Sequence, residues 1–397
     1  MSKIYLDHNA TEPITREHYE EIGRALFGCD ANPSSAHSHG MDAKLWVEKS
    51  RGAIAKALGV QKKEIYFTSG ATESNNLIIY GALGSWRRSQ SQQGRASLPH
   101  VVTSAMEHAS IFDPLRKLVE AGLCEWTLLP VADQGQISTE AFLKALRPNT
   151  SLVCLMLANN EVGTVYPIRE WVQACQAEHS QVHFHCDGVQ GVGKLSNLAQ
   201  RMFGVDSFSL SGHKIGGLKG VGALYLKAAR TIEPHFQGGG QECGLRPGTH
   251  NMPGIISLGQ RFLALPQIEE SYREMRALRD LLAEKLRSLP GLVIHGDLDN
   301  GLPNTINFHL NKSKVRLVDC LEQAGISVSS GSACSSSKSA GSRVLMTMGY
   351  SEDIAANSAR VSLGSATRLE DVERMVRCMT QLVAERLAEK GEQELGI

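Results

Sequence analysis

Between about residues 60 and 230 the chain alternates short apolar runs with longer stretches of mixed polarity. The runs predict strands at Glu64–Thr68, Val101–Ser104, Glu125–Leu129, Leu152–Leu157, Val182–Cys186, Ser207–Leu210 and Val221–Leu226. Most are continuous rather than in-out alternations, which suits strands covered on both faces. Strand and helix in turn predict an α/β fold with a large, mostly parallel, seven-stranded sheet. Beyond it, Met275, Leu278, Leu282, Leu286 and Leu289 recur at helical spacing, and Pro290-Gly291 closes that helix. Val372, Met375, Met379, Leu382 and Leu387 repeat the pattern, with apolar stretches at Asn304–Leu310 and Ala359–Leu363 between. This predicts a smaller α+β C-terminal domain. The polar run Ser85–Ser97 reads as a surface loop, and the charged end from Ala388 as frayed.

Composition narrows the function classes. The 397 residues carry 41 Lys+Arg against 41 Asp+Glu, so no bulk charge favours nucleic acid or an anionic membrane surface. No apolar run reaches the roughly 20 residues that span a bilayer, and the start lacks the apolar core of a secretory signal. Nine cysteines are scattered without a CxxC pair, which gives neither a disulfide framework nor a preformed metal site. The expected setting is the cytoplasm, without direct nucleic-acid or membrane partners.

In open α/β sheets, ligands bind beyond the carboxyl ends of the strands. Five predicted strands end in hydrogen-bonding or ionisable residues: Ser69-Gly70-Ala71-Thr72-Glu73-Ser74, Glu107-His108, Asn159-Asn160-Glu161, Asp187-Gly188-Val189-Gln190 and Ser211-Gly212-His213-Lys214. Each alone has a plain structural reading: a capped helix start, a core histidine, turn asparagines, a surface lysine. Together they place a site at one sheet edge. A lysine beside serine and histidine, a carboxylate one strand away and a helix start able to hold phosphate suit pyridoxal phosphate. The lysine would form its Schiff base, and the carboxylate would keep its ring nitrogen protonated.

Ordered motifs run along nearly the whole chain. They include Tyr5-Leu6-Asp7-His8-Asn9-Ala10-Thr11, Asn32-Pro33-Ser34-Ser35-Ala36-His37, Gly238-Gly239-Gly240-Gln241-Glu242, Arg246-Pro247-Gly248-Thr249, Ser330-Gly331-Ser332-Ala333-Cys334 and Arg360-Val361-Ser362-Leu363-Gly364. With these the sequence resembles the cysteine desulfurases of the NifS/IscS type, fold-type-I, class-V pyridoxal-phosphate enzymes. The resemblance implies a large cofactor-binding domain over 16–255. It implies a small domain from 1–15 and 256–397 that carries the catalytic cysteine loop.

The resemblance also implies roles. Lys214 would bind the cofactor and move protons at the substrate α-carbon. Asp187 would pair with the ring nitrogen, Gln190 with the phenolic oxygen, and His108 would stack on the ring and act as acid and base. Ala71, Thr72, Ser211 and His213 would hold the phosphate, with Thr249 reaching the phosphate of the partner subunit in a homodimer. Asn160 would contact cofactor and substrate, and Arg360 would grip the substrate carboxylate. Cys334, among small polar residues, would take sulfur from L-cysteine as a persulfide and pass it to an acceptor or scaffold protein, leaving L-alanine. It is also a candidate transient iron–sulfur ligand; no resident metal is expected. Iron–sulfur assembly and thiolation are the implied uses of the sulfur.

The sequence departs from the family at Ala340-Gly341, where an acidic-proline pair is usual, and at Gly188, where alanine is common. Selenocysteine lyase shares nearly every motif and is the nearest alternative. A class-V aminotransferase would need no loop cysteine. A non-catalytic docking subunit would be expected to lack Lys214, Asp187, His108 or Cys334, and all four are present.

Overall fold

The computed structural model describes residues 3–29, 31–95, 97–311, 315–330 and 341–395. Its strands are β1 (Ile4–Tyr5), β2 (Ile65–Thr68), β3 (His100–Ser104), β4 (Glu125–Leu129), β5 (Thr150–Met156), β6 (His183–Asp187), β7 (Ser207–Ser211), β8 (Gly222–Leu226), β9 (Leu292–His295), β10 (Thr305–Leu310), β11 (Ile326–Ser327) and β12 (Ala359–Ser362). Strands β2 to β8 form one seven-stranded sheet in the order β2-β8-β7-β6-β5-β3-β4. The pairs β7–β8 and β8–β2 are antiparallel and the other four are parallel. The seven predicted strands are all present, each shifted by no more than two residues at either end.

The continuous apolar runs have the expected cause. Val153 and Leu155 of β5 face one buried cluster, with the helices Ser38–Leu58, Ile168–Glu178 and Met252–Leu263. Leu152 and Cys154 face another, beneath the helices Ala71–Gln92 and Ala109–Glu120. Each leucine or valine so buried contributes about 1.5–3 kcal/mol. Strands β6 and β7 break the rule on one face only. Phe184, Cys186, Phe208 and Leu210 enter the first cluster, whereas His183, His185, Asp187, Ser207, Ser209 and Ser211 alternate onto the side of the helix Ala71–Gln92. A buried polar face therefore leads to the sheet's edge.

Strands β9, β10 and β12 form an antiparallel sheet, and β1 pairs in parallel with β11. The helices Leu265–Arg287 and Leu369–Leu395 cover a separate cluster that includes Ile4, Leu6, Leu282, Phe308, Val361 and Met375. The chain's start thus packs with its end.

Two sequence expectations fail. The run from Ser85 is not a loop: the helix that begins at Ala71 continues to Gln92. Ser85–Gln92 contains no glycine or proline, and its arginines and glutamines extend an already nucleated helix. Likewise the last helix runs through the charged end to Leu395 instead of fraying from Ala388.

Candidate active site

Strands β5, β6 and β7 end side by side, with Met156 opposite Asp187 and Asp187 opposite Ser209. The loops that follow deliver Asn160, Gln190 and Lys214 to one edge. Lys214 lies on the single turn Gly212–Ile215 that leaves β7.

Asp187 is buried. Its Oδ1 accepts from the Val189 amide at 3.0 Å, and its Oδ2 from Asn75 Nδ2 at 2.9 Å. Asn75 also donates to Ser110 Oγ at 2.9 Å, and Ser110 Oγ lies 2.8 Å from His108 Nδ1. The Ser110 amide donates to the same His108 nitrogen, so the neutral ring carries its hydrogen on Nε2. On the other side His185 Nε2 meets Asn75 Oδ1 at 2.9 Å, and Ser207 Oγ links His185 to His183 at 2.8 Å each. Because a carboxylate only accepts, Asn75 must face Asp187 with its NH₂ group, which fixes the direction of the chain. Burial pushes the pKa of both His183 and His185 down to about 3, so they are neutral relays.

Asn9 joins the other half. Its main-chain oxygen accepts from Lys214 Nζ at 2.8 Å and Gln190 Nε2 at 3.0 Å. Its side chain donates to the Asn160 carbonyl at 3.2 Å, which also accepts from Arg360 Nη1 at 3.0 Å. Arg360 is buried, reaches Asp7 Oδ1 through Nη2 at 2.5 Å, and among the described residues leaves Nε without a partner. An orphaned guanidinium N–H at the site edge is suited to a carboxylate.

The helix Ala71–Gln92 starts at Gly70 with no side-chain cap, so Ala71 and Thr72 present amide donors to an anion. Strand β8 crosses so near that a Cβ on Gly222 would lie 2.6 Å from Gly70 Cα, which requires glycine there. Ser211 ends β7, and His213 Nδ1 lies 3.0 Å from Thr11 Oγ1. Burial, then Lys214, pushes the His213 pKa down to about 4, so this ring is neutral too. Thr249 is exposed on an open cleft of about 490 Å³ that it shares with Glu73, Gln241 and Arg246. Cys334 lies outside the described residues. Among the described residues no group of three or more metal-ligating side chains occurs, and no helix is long and apolar enough to cross a membrane.

Several residues at this edge escaped the sequence reading of roles. Glu107 is fully buried, and burial followed by Asp187 pushes its pKa up to about 8. Glu161, raised by burial to about 7, holds Ser342 Oγ at 2.5 Å. Asn9 sits inside the Tyr5–Thr11 motif and Asn75 directly after Ser74, but nothing in their spacing marks them as junctions. Lys194 lay outside every motif.

The chain belongs to the class-V aminotransferases, whose family model matches residues 4–375. Like other members of this family, it is a pyridoxal-phosphate-dependent enzyme. Among its relatives, the "Cysteine desulfurase IscS" of Dictyoglomus turgidum is 38% identical over 98% of this chain and 95% of that protein. The "Selenocysteine lyase" of Rattus norvegicus is 36% identical over 96% of this chain and 94% of that one. A solved NifS-like protein superposes with a TM-score of 0.85 at 32% identity, covering 96% of this chain and 99% of that one.

The residues present fit the cofactor. Two donors engage Asp187, and a carboxylate offers about four acceptor sites, so capacity remains for a protonated ring nitrogen. The uncapped helix start matches a phosphate, and Lys214 lies with Gln190 on one shared acceptor.

Proposed function

We propose that the chain is a cysteine desulfurase: it converts L-cysteine to L-alanine and carries the sulfur as a persulfide on Cys334 to an acceptor or scaffold protein. The observation that carries this reading is the Asn9–Asn160 link, which ties Lys214 to Arg360, an amine to a carboxylate grip, at one sheet edge. Near-full-length similarity to a cysteine desulfurase supports the choice of substrate.

Pyridoxal phosphate, when bound, supplies an electron sink for the substrate α-carbon. Lys214 would anchor it, Asp187 would accept from its ring nitrogen, and Gln190 would donate to its phenolic oxygen. Ala71, Thr72, Ser211 and His213 would hold its phosphate, and His108 would face the ring. Arg360 binds the substrate carboxylate through its unpartnered Nε, and Asn160 lines the same edge. Lys214 Nζ takes the proton from Cα and later returns one to the product. The Cys334 thiolate attacks the substrate sulfur. The Cβ–S bond breaks with its electron pair left on carbon, and a proton completes alanine. The sum is one thiol and one cysteine giving one persulfide and one alanine.

The exposed cleft around Thr249 supports a homodimer in which that residue serves the partner's phosphate site. The buried cluster beneath the helices Leu265–Arg287 and Leu369–Leu395, separate from the two on the faces of the large sheet, supports a large domain over 16–255 and a small one from 1–15 with 256–397. Ile256, Leu258 and Phe262 pack in the larger cluster, which favours placing the passage near Ala264. Cytoplasmic location, and delivery of sulfur to iron–sulfur assembly or thiolation, belong to the same proposal.

The test is alanine release from L-cysteine by cofactor-loaded protein and by Cys334→Ala, with L-selenocysteine in parallel. Release by wild type and none by the variant supports the reading. Turnover of selenocysteine alone replaces it with selenocysteine lyase. Alanine from neither substrate overturns it and turns attention to amino-group transfer.

A further inference from the structure

Lys194 lies in the turn after β6 and is 4% exposed. Its Nζ donates to Asn9 Oδ1 at 2.8 Å and makes a close hydrogen bond to Gln190 Oε1. The ring of Tyr272 lies 6.0 Å from the same nitrogen. Burial, then the neighbouring Lys214, holds the Lys194 pKa well below its ordinary value. Protonated or neutral, the amine has at least two N–H donors, one for each of these two oxygens.

We propose that Lys194 is a positioning residue of the active site: by donating to Gln190 Oε1 it fixes which end of the Gln190 amide faces the cofactor. This rests on the reading of Gln190 as the donor to the cofactor's phenolic oxygen. A glutamine amide can turn over with little change of shape, exchanging a donor for an acceptor. Turned over here, Gln190 would set its oxygen against the Asn9 carbonyl, acceptor against acceptor, and would leave the hydrogen that the amine donates to Oε1 without its acceptor. With Lys194 in place, Gln190 Nε2 gives one hydrogen to Asn9 O at 3.0 Å and keeps the second for a ligand oxygen.

The same amine orients Asn9. Lys194 Nζ and Asn304 Nδ2, the latter at 3.1 Å, both donate to Asn9 Oδ1. Asn9 Nδ2 is thereby aimed at Thr305 Oγ1 at 2.8 Å and at the Asn160 carbonyl. Asn9 in turn offers the carbonyl that Lys214 engages. One buried amine thus sets two amide orientations on which the site edge depends.

A donor to the phenolic oxygen favours its anionic form, so its loss shifts the pH titration of the bound cofactor's visible absorption band. The test compares holoenzymes of wild type, Lys194→Met, Gln190→Met and the double variant, with near-ultraviolet circular dichroism to verify folding. The expected result is a shift of about one pH unit in Gln190→Met. Lys194→Met should shift in the same direction, and the double variant no further than Gln190→Met alone. An unshifted Gln190→Met overturns the reading of Gln190. A shifted Gln190→Met with an unshifted Lys194→Met, or additive shifts in the double variant, overturns the role of Lys194. If Lys194→Met does not fold, Lys194→Arg decides. A guanidinium can only donate, which the orientation of Gln190 requires, and must keep the wild-type titration; a loaded Lys194→Arg protein that titrates like Gln190→Met overturns the proposal.

Discussion

Asn75 Nδ2 lies 2.9 Å from Asp187 Oδ2, and the same nitrogen lies 2.9 Å from Ser110 Oγ, which bonds His108. One amide thus couples the carboxylate assigned to the ring nitrogen and the histidine assigned to its face. Asn75→Leu removes both bonds and the one from His185 Nε2 to Asn75 Oδ1, and leaves Asp187, Ser110 and His185 each short of a partner. Each buried group left unpaired costs about 1–3 kcal/mol. Asn75→Leu is expected to lower the urea midpoint and to reduce kcat/KM for L-cysteine by about tenfold or more. Unchanged kcat/KM would remove Asn75 from the site.

Gly188, the departure that the resemblance marks after β6, has a structural reason. A Cβ there would lie 1.7 Å from Phe208 Cζ in the adjacent strand. Gly188→Ala should destabilise the protein by about 1–3 kcal/mol, as overpacking does. Shrinking the ring in Gly188→Ala/Phe208→Leu should recover part of that loss relative to the alanine variant. Thermal denaturation of the two variants checks the coupling, and equal midpoints would contradict it.

Glu107 gives the protein a pH dependence. Its pKa rises from about 4.5 to about 8 on folding, through burial and then Asp187. The unfolded chain releases this proton at lower pH than the folded one. The stabilising contribution is therefore complete below about pH 4.5 and is lost as pH rises through about 8. Glu107→Gln, which cannot ionise, should flatten this slope. Denaturant midpoints of cofactor-free protein at pH 6 and pH 8.5 should fall further in wild type than in the variant.

Arg360 engages Asp7 and the Asn160 carbonyl with its two terminal nitrogens and, among the described residues, keeps Nε unpartnered. Arg360→Lys replaces the planar fork with a single ammonium and cannot serve all three directions. KM for L-cysteine should rise about tenfold or more if, as proposed, the lost contact is to the substrate carboxylate. Steady-state kinetics decide: an unchanged KM would place carboxylate binding elsewhere.

The sheet was legible because burial on both faces demands uninterrupted apolar runs, and the runs at Leu152–Leu157 and Val221–Leu226 declare themselves without any partner. Helical spacing in the tail is equally local, as Leu282 and Leu286 show. The edge that would carry chemistry was legible as well, since polar residues after five strands must gather at one end of a parallel sheet. The sequence failed at Ser85–Gln92, where polar composition resembled a loop but local propensity continued a helix.

What sequence alone determined is therefore the sheet, the helical tail and the residue types at the strand ends, because those follow from short-range periodicity. Only the tertiary structure decided how they connect. Asn9 meets Lys214 across 205 positions and Asn304 across 295. Lys194 is ordinary in sequence and becomes a junction only because the turn after β6 buries it against the N-terminal segment. Hydrogen-bond direction is likewise a property of the assembled network: which end of Asn75 or Gln190 faces a partner is fixed by the carboxylate or amine opposite. No spacing within the chain encodes it.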